Sequence, residues 1–389
     1  MEDGGAPARP TSPDKVWGPP DDPLRQSVAR PYRRLKRRLR LIRMAGVLVL
    51  LAAFVASGAP VGLQRWVEGW ATHPAAVVAL YVVVFAAGAE LVGLPLAYYG
   101  GFVVEHHFGL STQTRGAWLN DVAKGFAVSL VLGLLAAEVL FWLLRSAPAA
   151  WWLWAAAAFI ALAVVLANLA PVLILPLFFK FTPLEDETLE AQVLELCRKA
   201  GTRVRGVFRW GLSAKTKAAN AALVGWGNTR RIILADTLLD GFEPDEVVGV
   251  FAHELGHHVY GHIWRGMALQ AALTLAFFGL LALFIEPLAR LQGVASPAEV
   301  AVLPSILLLA FVLSAALLPV VCALSRFHER QADGYALASA SRPDAYARAF
   351  ERLCALNLGE LEPPRWAQLI FGTHPAPAER IRRARAFAA

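Results

Sequence analysis

The chain has 389 residues, 57% of them hydrophobic and only 17% charged. Soluble domains run nearer a quarter charged, which argues against an ordinary water-soluble enzyme, and the apolar content argues against disorder over most of the length. Cys197, Cys322 and Cys354 form no CxxC pair, so neither a disulfide scaffold nor a thiolate zinc site is expected. The formal net charge is +7, and its placement matters more than its total.

In chain order, residues 1–29 are polar and rich in Pro and Gly, a composition that predicts disorder. Arg30–Arg43 then packs eight basic residues. A nucleic-acid arm is one reading; a membrane-surface anchor directly before an apolar run is the favoured one, with no nucleic-acid partner. The 43-residue lead is too long for the charged region of a usual signal peptide. Six runs have membrane-spanning length, since a bilayer core ~30 Å thick takes about 20 apolar residues. They are Met44–Leu63, Ala75–Val104 (charged only at Glu90), Gly125–Leu144 (charged only at Glu138), Ser146–Phe179, Gly266–Ile285 and Val300–Ser325, the last containing Pro304 and Pro319.

Lysine and arginine set the orientation. With the amino terminus cytoplasmic, the external segments hold Arg65, Arg145 and Arg290, three of the 37 basic residues, and the internal ones hold the other 34. The expected organisation is a cytoplasmic N-terminus (1–43), spans 1–4 (44–179), a cytoplasmic insert (180–265), spans 5–6 (266–325) and a cytoplasmic helical tail (326–389). The fold class is an all-α multi-span membrane protein carrying a small α+β insert. Within the insert, Leu184–Ala200 reads as an amphipathic helix and Val204–Trp210 as a strand. Ala218–Trp226 and Arg231–Ala235 read as a hairpin turning at Gly227-Asn228. Asp236 caps a short turn, and Pro244 opens a helix running to about His262. So small an insert must lean on the spans or the tail.

That helix carries His253-Glu254-Leu255-Gly256-His257. Residues four apart share a helix face, so both imidazoles can reach one Zn²⁺ ion at ~2.0–2.1 Å. Glu254 lies on the adjacent flank, where a carboxylate can take a proton from water that a metal has acidified. This is the HExxH arrangement of metalloproteases. The competing reading is a helix with surface histidines. A catalytic site needs a third protein ligand. Glu329 lies 72 residues beyond His257, and spans 5 and 6 form an out-and-back pair that returns it to the same face. The alternative for Glu329 is a solvated residue paired to Arg326 or Arg330. Asp333, one turn on, either orients a ligand histidine or acts near the reacting centre. For His258 and His262, surface or interfacial roles are favoured over metal binding.

His253–His257, together with Glu329-Arg330-Gln331-Ala332-Asp333, resembles the type I CAAX prenyl endopeptidases, integral-membrane zinc metalloproteases. The resemblance extends to Gly101–Gly109 with Gln113-Thr114, to Ile174–Phe178 with Lys180–Leu184, to Ala219-Asn220-Ala221, to Asp236–Leu239, and to Thr373-His374-Pro375 with Glu379-Arg380. It covers roughly residues 75–389. It implies one Zn²⁺ ion held by His253, His257 and Glu329, Glu254 as general base and Asp333 as proton donor. It implies that Asn220, flanked by Ala219 and Ala221, lies on an edge strand that pairs with an extended substrate. It implies that His374 helps hold the developing oxyanion. It further implies spans that enclose a water-filled chamber. Glu90 and Glu138 then line the chamber or form structural ion pairs. Eukaryotic family members carry seven spans where six are counted here, and residues 1–74 show no match.

The expected function is therefore hydrolysis of peptide bonds near the C-terminus of prenylated CAAX-type substrates or related membrane-associated peptides. The expected partners are the lipid bilayer and a peptide or prenylated protein. The Ala- and Arg-rich composition points to a bacterial plasma membrane, with the catalytic insert cytoplasmic. One alternative is a bacterial quality-control metalloprotease of the heat-shock type; another, of a different class, is a non-catalytic membrane scaffold or transporter.

Overall fold

A computed structural model describes residues 23–225, 229–339 and 343–388. Six helical segments are long and apolar enough to cross a bilayer: 25–56, 74–107, 115–146, 151–178, 262–291 and 300–339. The first, α1 (Pro23–Ala56), begins about twenty residues before the apolar run. Residues 23–43, expected to be disordered and then merely basic, are thus helical. Proline suits a first helical turn, and the basic side chains find partners: Lys36 reaches Glu105 Oε1 at 2.6 Å and the Gly100 carbonyl at 3.0 Å. Residues 1–22 and the expected turn at Gly227-Asn228 lie outside the described residues.

A short α2 (Ala59–Glu68) leads into α3 (Pro74–Tyr98). After Pro95 and through Gly100-Gly101 the second span widens into a π turn before α4 (Val104–His107). The third span is α5 (Arg115–Ser146). The fourth is α6 (Trp151–Leu169), which passes through a second π turn at Pro171 into α7 (Leu175–Phe178). Proline cannot donate to the ladder, and such widening is a common local remedy. Tyr81, Phe141, Trp151, Phe278 and Leu281 are buried where these helices meet the later ones.

The insert contains β1 (Phe181–Pro183), α8 (Glu187–Lys199), β2 (Val207–Trp210), β3 (Ala221–Val224), β4 (Arg231–Ala235) and α9 (Asp236–Leu239). Its sheet runs β1-β2-β4-β3, so β3 is an edge. β3 pairs antiparallel with β4 (Ala221 opposite Leu234), as the hairpin reading expects, and β2 runs parallel to β4. Asp236 anchors the turn that follows β2. Its carboxylate accepts from Leu212 N–H, Ser213 N–H, Ser213 O–H and Thr237 N–H at 2.6–3.0 Å. Those donors hold its carboxyl below the ordinary range against the opposing effect of burial.

Next comes α10 (Pro244–Val259), opened by a reciprocal cap between Glu243 and Glu246. The helix expected to run to His262 stops at Val259. Gly261 adopts a left-handed φ of 65°, and α11 (His262–Leu291) starts afresh. The fold closes with α12 (Leu303–Ser339), α13 (Pro343–Leu356), α14 (Arg365–Phe371) and α15 (Pro377–Ala388). The insert does lean on the tail. Val193, Ile232, Leu234, Phe251 and Leu255 share one core with Leu337, Tyr346 and Ala384.

Candidate metal centre

Helix α12 is the arm that delivers Glu329. At 1.5 Å per residue, Glu329 lies about 40 Å along the helix from Leu303, beyond the ~30 Å hydrocarbon thickness. Helix α10 meets α12 at Gly256. A Cβ there would stand 3.0 Å from Ala332 Cα and 3.1 Å from Tyr335 Cβ, so tight that α12 would have to shift by a few tenths of an ångström. Glycine between the two histidines therefore lets the helices approach this closely. The other face of α10 is pinned to α13. Fully buried Glu246 pairs with Arg352 at 3.0 Å and Arg348 at 3.5 Å, and Gly249 lies against Tyr346.

The contact brings three donors into a triangle. His253 Nε2 and His257 Nε2 are 3.2 Å apart, and the Glu329 carboxylate faces both, Oε2 3.3 Å from His253 Nε2 and Oε1 3.3 Å from His257 Nε2. Ligands ~2.0–2.1 Å from a tetrahedral centre stand about 3.3 Å from one another, so the spacing fits a metal ion. Glu329 Oε2 is buried without a hydrogen-bond partner, as a donor to a cation would be. Of the two readings of Glu329, pairing to Arg326 or Arg330 is not what the structure has. Arg326 donates to the Gln368 and Gly372 carbonyls, and Arg330 pairs with Glu379.

Behind His253 stands a buried charged group. His253 Nδ1 is 3.0 Å from Asp333 Oδ1. Asp333 also accepts from Tyr346 O–H at 2.7 Å and from Arg380 through both of its oxygens. Burial pushes the Tyr346 phenol well above its ordinary range, so it remains a donor. Asp333 therefore stands on the far side of the imidazole from Glu329, its carboxylate engaged by three neighbours. Behind His257 the group is neutral. His257 Nδ1 is 3.0 Å from His262 Nδ1, and His262 Nε2 is 3.0 Å from Gln331 Oε1. With Nε2 of His257 turned to the metal, His257 Nδ1–H donates to His262, whose Nε2–H donates to Gln331. His262 is buried and stacks on His328.

A cavity of about 500 Å³ opens on this site, lined by His253, Glu254, His374, Arg380 and Asn220 among others. Burial raises the Glu254 carboxyl above the ordinary range, while the neighbouring imidazoles pull it down. His374 comes in from the tail, its Nε2 3.4 Å from Glu329 Oε1.

β3 starts only at Ala221, so Asn220 just precedes the edge strand on which it was expected, and so does Ala219. The Ala219 N–H donates to Asn357 Oδ1 at 3.0 Å and its carbonyl accepts from Asn357 Nδ2 at 3.2 Å, so a substrate finds no free main chain there. The Asn220 carbonyl bonds to Ala235, and its side-chain oxygen accepts from Ala221 N–H. Sequence reasoning also missed Arg380, Tyr346 and His262. Arg380 stood in a matched segment but without a role. His262 was misplaced because the helix break at Gly261 was not foreseen.

Comparison with known proteins agrees with this geometry. Residues 25–180 match the family model of the CAAX prenyl protease N-terminal region with five membrane helices, and residues 183–388 match that of peptidase family M48. An uncharacterized metalloprotease of Bacillus subtilis, YhfN, is 31% identical over 93% of this chain and 86% of its own. CAAX prenyl protease 1 of Saccharomyces cerevisiae is 30% identical over 75% of this chain and 68% of its own. The crystal structure of S. mikatae Ste24p superposes with a TM-score of 0.85 at 23% identity, covering 95% of this chain and 93% of that one. The fold is thus shared with Ste24p. The chain belongs to peptidase family M48 and is an integral-membrane, multi-pass metalloendopeptidase that hydrolyses peptide bonds.

Proposed function

We propose that the ion is a single Zn²⁺, that the enzyme sits in a bacterial plasma membrane with its site on the cytoplasmic side, and that it cuts near the C-terminus of prenylated CAAX-type or related membrane-associated peptides. The observation that carries the metal assignment is the donor cluster: the two imidazole Nε2 atoms stand 3.2 Å apart, each 3.3 Å from its own oxygen of the Glu329 carboxylate, and this two-imidazole, one-carboxylate chemistry suits zinc. The substrate class rests on similarity to proteins named as CAAX prenyl proteases. The orientation rests on the concentration of lysine and arginine in the insert, tail and N-terminal helix.

When bound, zinc polarises the scissile carbonyl and acidifies water. Glu254 takes the proton from the attacking water and passes it towards the departing amine. His374 donates to the oxygen on which negative charge develops. Asp333 is a positioning residue: it holds His253 with Nδ1 protonated and Nε2 free for the metal. Its three existing partners favour this role over proton donation to substrate. The substrate lies extended beside β3, using the outward carbonyl of Ala221 and the outward groups of Leu223 rather than those of Ala219, since Asn220 Oδ1 already holds Ala221 N–H.

The test is a digest of matched peptides with and without a prenyl group by wild type and Glu254→Gln, read by mass spectrometry. Wild type should cut the prenylated peptide faster, and Glu254→Gln should lose at least about 100-fold, the usual scale of a general base. Equal rates with and without the prenyl group would replace this substrate class by that of a quality-control protease. Equal activity of the two proteins would remove Glu254 from the chemistry.

A further inference from the structure

The edge strand beside the metal ligands is open only at one end. In a β-strand, successive residues direct their main-chain groups to opposite sides. The Asn220 carbonyl bonds to Ala235 of β4, so the main-chain groups of Ala221 and Leu223 face outward, the Ala221 N–H being capped by Asn220 Oδ1, and those of Ala219, just before the strand, turn the same way to Asn357. The Asn357 carboxamide makes with Ala219 the two hydrogen bonds that a substrate residue would make. Any strand added along β3 therefore stops at this point.

The segment that supplies the stop is held under backbone strain. Leu358 is the one described non-glycine residue with a left-handed φ, 46°. Arg33 of α1 clamps it, donating through Nε to the Leu358 carbonyl at 2.8 Å and through Nη2 to the Asn357 carbonyl at 2.7 Å. Two further arginines of the same helix, Arg37 and Arg40, join Arg33 in lining the cavity that holds the metal ligands. Arg37 is balanced by Glu360. Arg33 meets neutral carbonyls and the Tyr32 ring, and Arg40 lies over the Phe371 ring at 5.3 Å; neither has an acidic partner among the described residues. The blocked end of the strand is thus the positive end of the cleft.

Charge and strand direction agree. A peptide added antiparallel to β3 runs from Leu223 towards Ala219, so its carboxyl end arrives at Asn357 and the arginines. A parallel peptide would bring an ammonium group to the same cations, which repel it. We propose that Asn357 ends the substrate ladder and that Arg40, with Arg33 behind it, binds the substrate's terminal α-carboxylate. The site would then measure from the free C-terminus of its substrate. This deepens, and rests on, the proposed cutting near the C-terminus. It assigns that preference to named residues instead of to the lipid group.

The test reads binding, so no turnover is required. In the Glu254→Gln background, a short fluorescent peptide ending in a free carboxylate is titrated against the same peptide ending in an amide, in uncharged detergent. The acid should bind at least about tenfold more tightly, the scale of one charge-assisted hydrogen bond. Adding Arg40→Gln should bring the ratio close to unity by weakening the acid, and Arg40→Lys should restore part of it. An unchanged ratio in Arg40→Gln would overturn the assignment, as would equal binding of acid and amide in the background protein. No acid preference in uncharged detergent, together with tighter binding of the Arg40-containing protein to phosphatidylglycerol than to phosphatidylcholine vesicles that Arg40→Gln abolishes, would give the arginines to lipid headgroups instead. The prenyl digest is independent of this comparison: an acid preference without a prenyl preference would sink the substrate class and leave the carboxylate site standing.

Discussion

The two histidine ligands share a helix face and are braced in opposite ways. His253 is backed by Asp333, Tyr346 and Arg380, all buried, from three different helices. His257 is backed by His262 and Gln331, a neutral chain made from the start of α11 and the last turns of α12. A buried charge is costly unless fully partnered, so the first brace ties ligand geometry to the folding of the tail. The second can loosen without stranding a charge. One ligand is therefore coupled to global stability and the other to metal affinity alone.

The largest effect that would break this contrast lies at Asp333. Asp333→Ala should cost about 3–5 kcal/mol, because it leaves Arg380 buried without its carboxylate, and metal should be lost together with stability. Thermal unfolding with and without zinc checks this; a variant as stable as wild type would mean that Arg380 finds water. A smaller effect belongs to His262→Ala. Zinc affinity should fall about 10–100-fold, the usual scale for removing a partner behind a ligand. Competition with a chelator measures it, and the metal-free melting temperature should barely move. If His262→Ala unfolds the protein as Asp333→Ala does, the two braces are not different in kind. The smallest effect is at the helix contact that both braces need. Gly256→Ala inserts a methyl 3.0 Å from Ala332 Cα and should cost about 1–3 kcal/mol as overpacking, widening the triangle from the α12 side.

Much of this site could be read before any coordinates. The spacing of His253 and His257 needs only helix geometry. Glu329 follows from a topological argument: two spans going out and back return it to the starting face. Asp333 follows by one further helical turn. What could not be read depended on contacts between distant segments or on short local breaks. Gly261 turns the chain between α10 and α11, and without that turn His262 falls on the wrong face of one long helix. Strand β1 is only three residues long and carries no periodicity. Asn357 reaches Ala219 across 138 positions, and Arg33 reaches Asn357 across 324; neither pairing leaves a local pattern. The basic run before the first span looked like a topology signal alone. Its helix also forms a wall of the catalytic cleft, a role visible only once the tail is folded against it.

The central claim is that His253, His257 and Glu329 jointly hold one metal ion. Its most direct test is the zinc content of purified protein, measured by mass spectrometry after removal of loosely bound metal, for wild type, Glu254→Gln and Glu329→Gln. The account predicts stoichiometric zinc in the first two and far less in the third. Zinc retained undiminished by folded Glu329→Gln would contradict it.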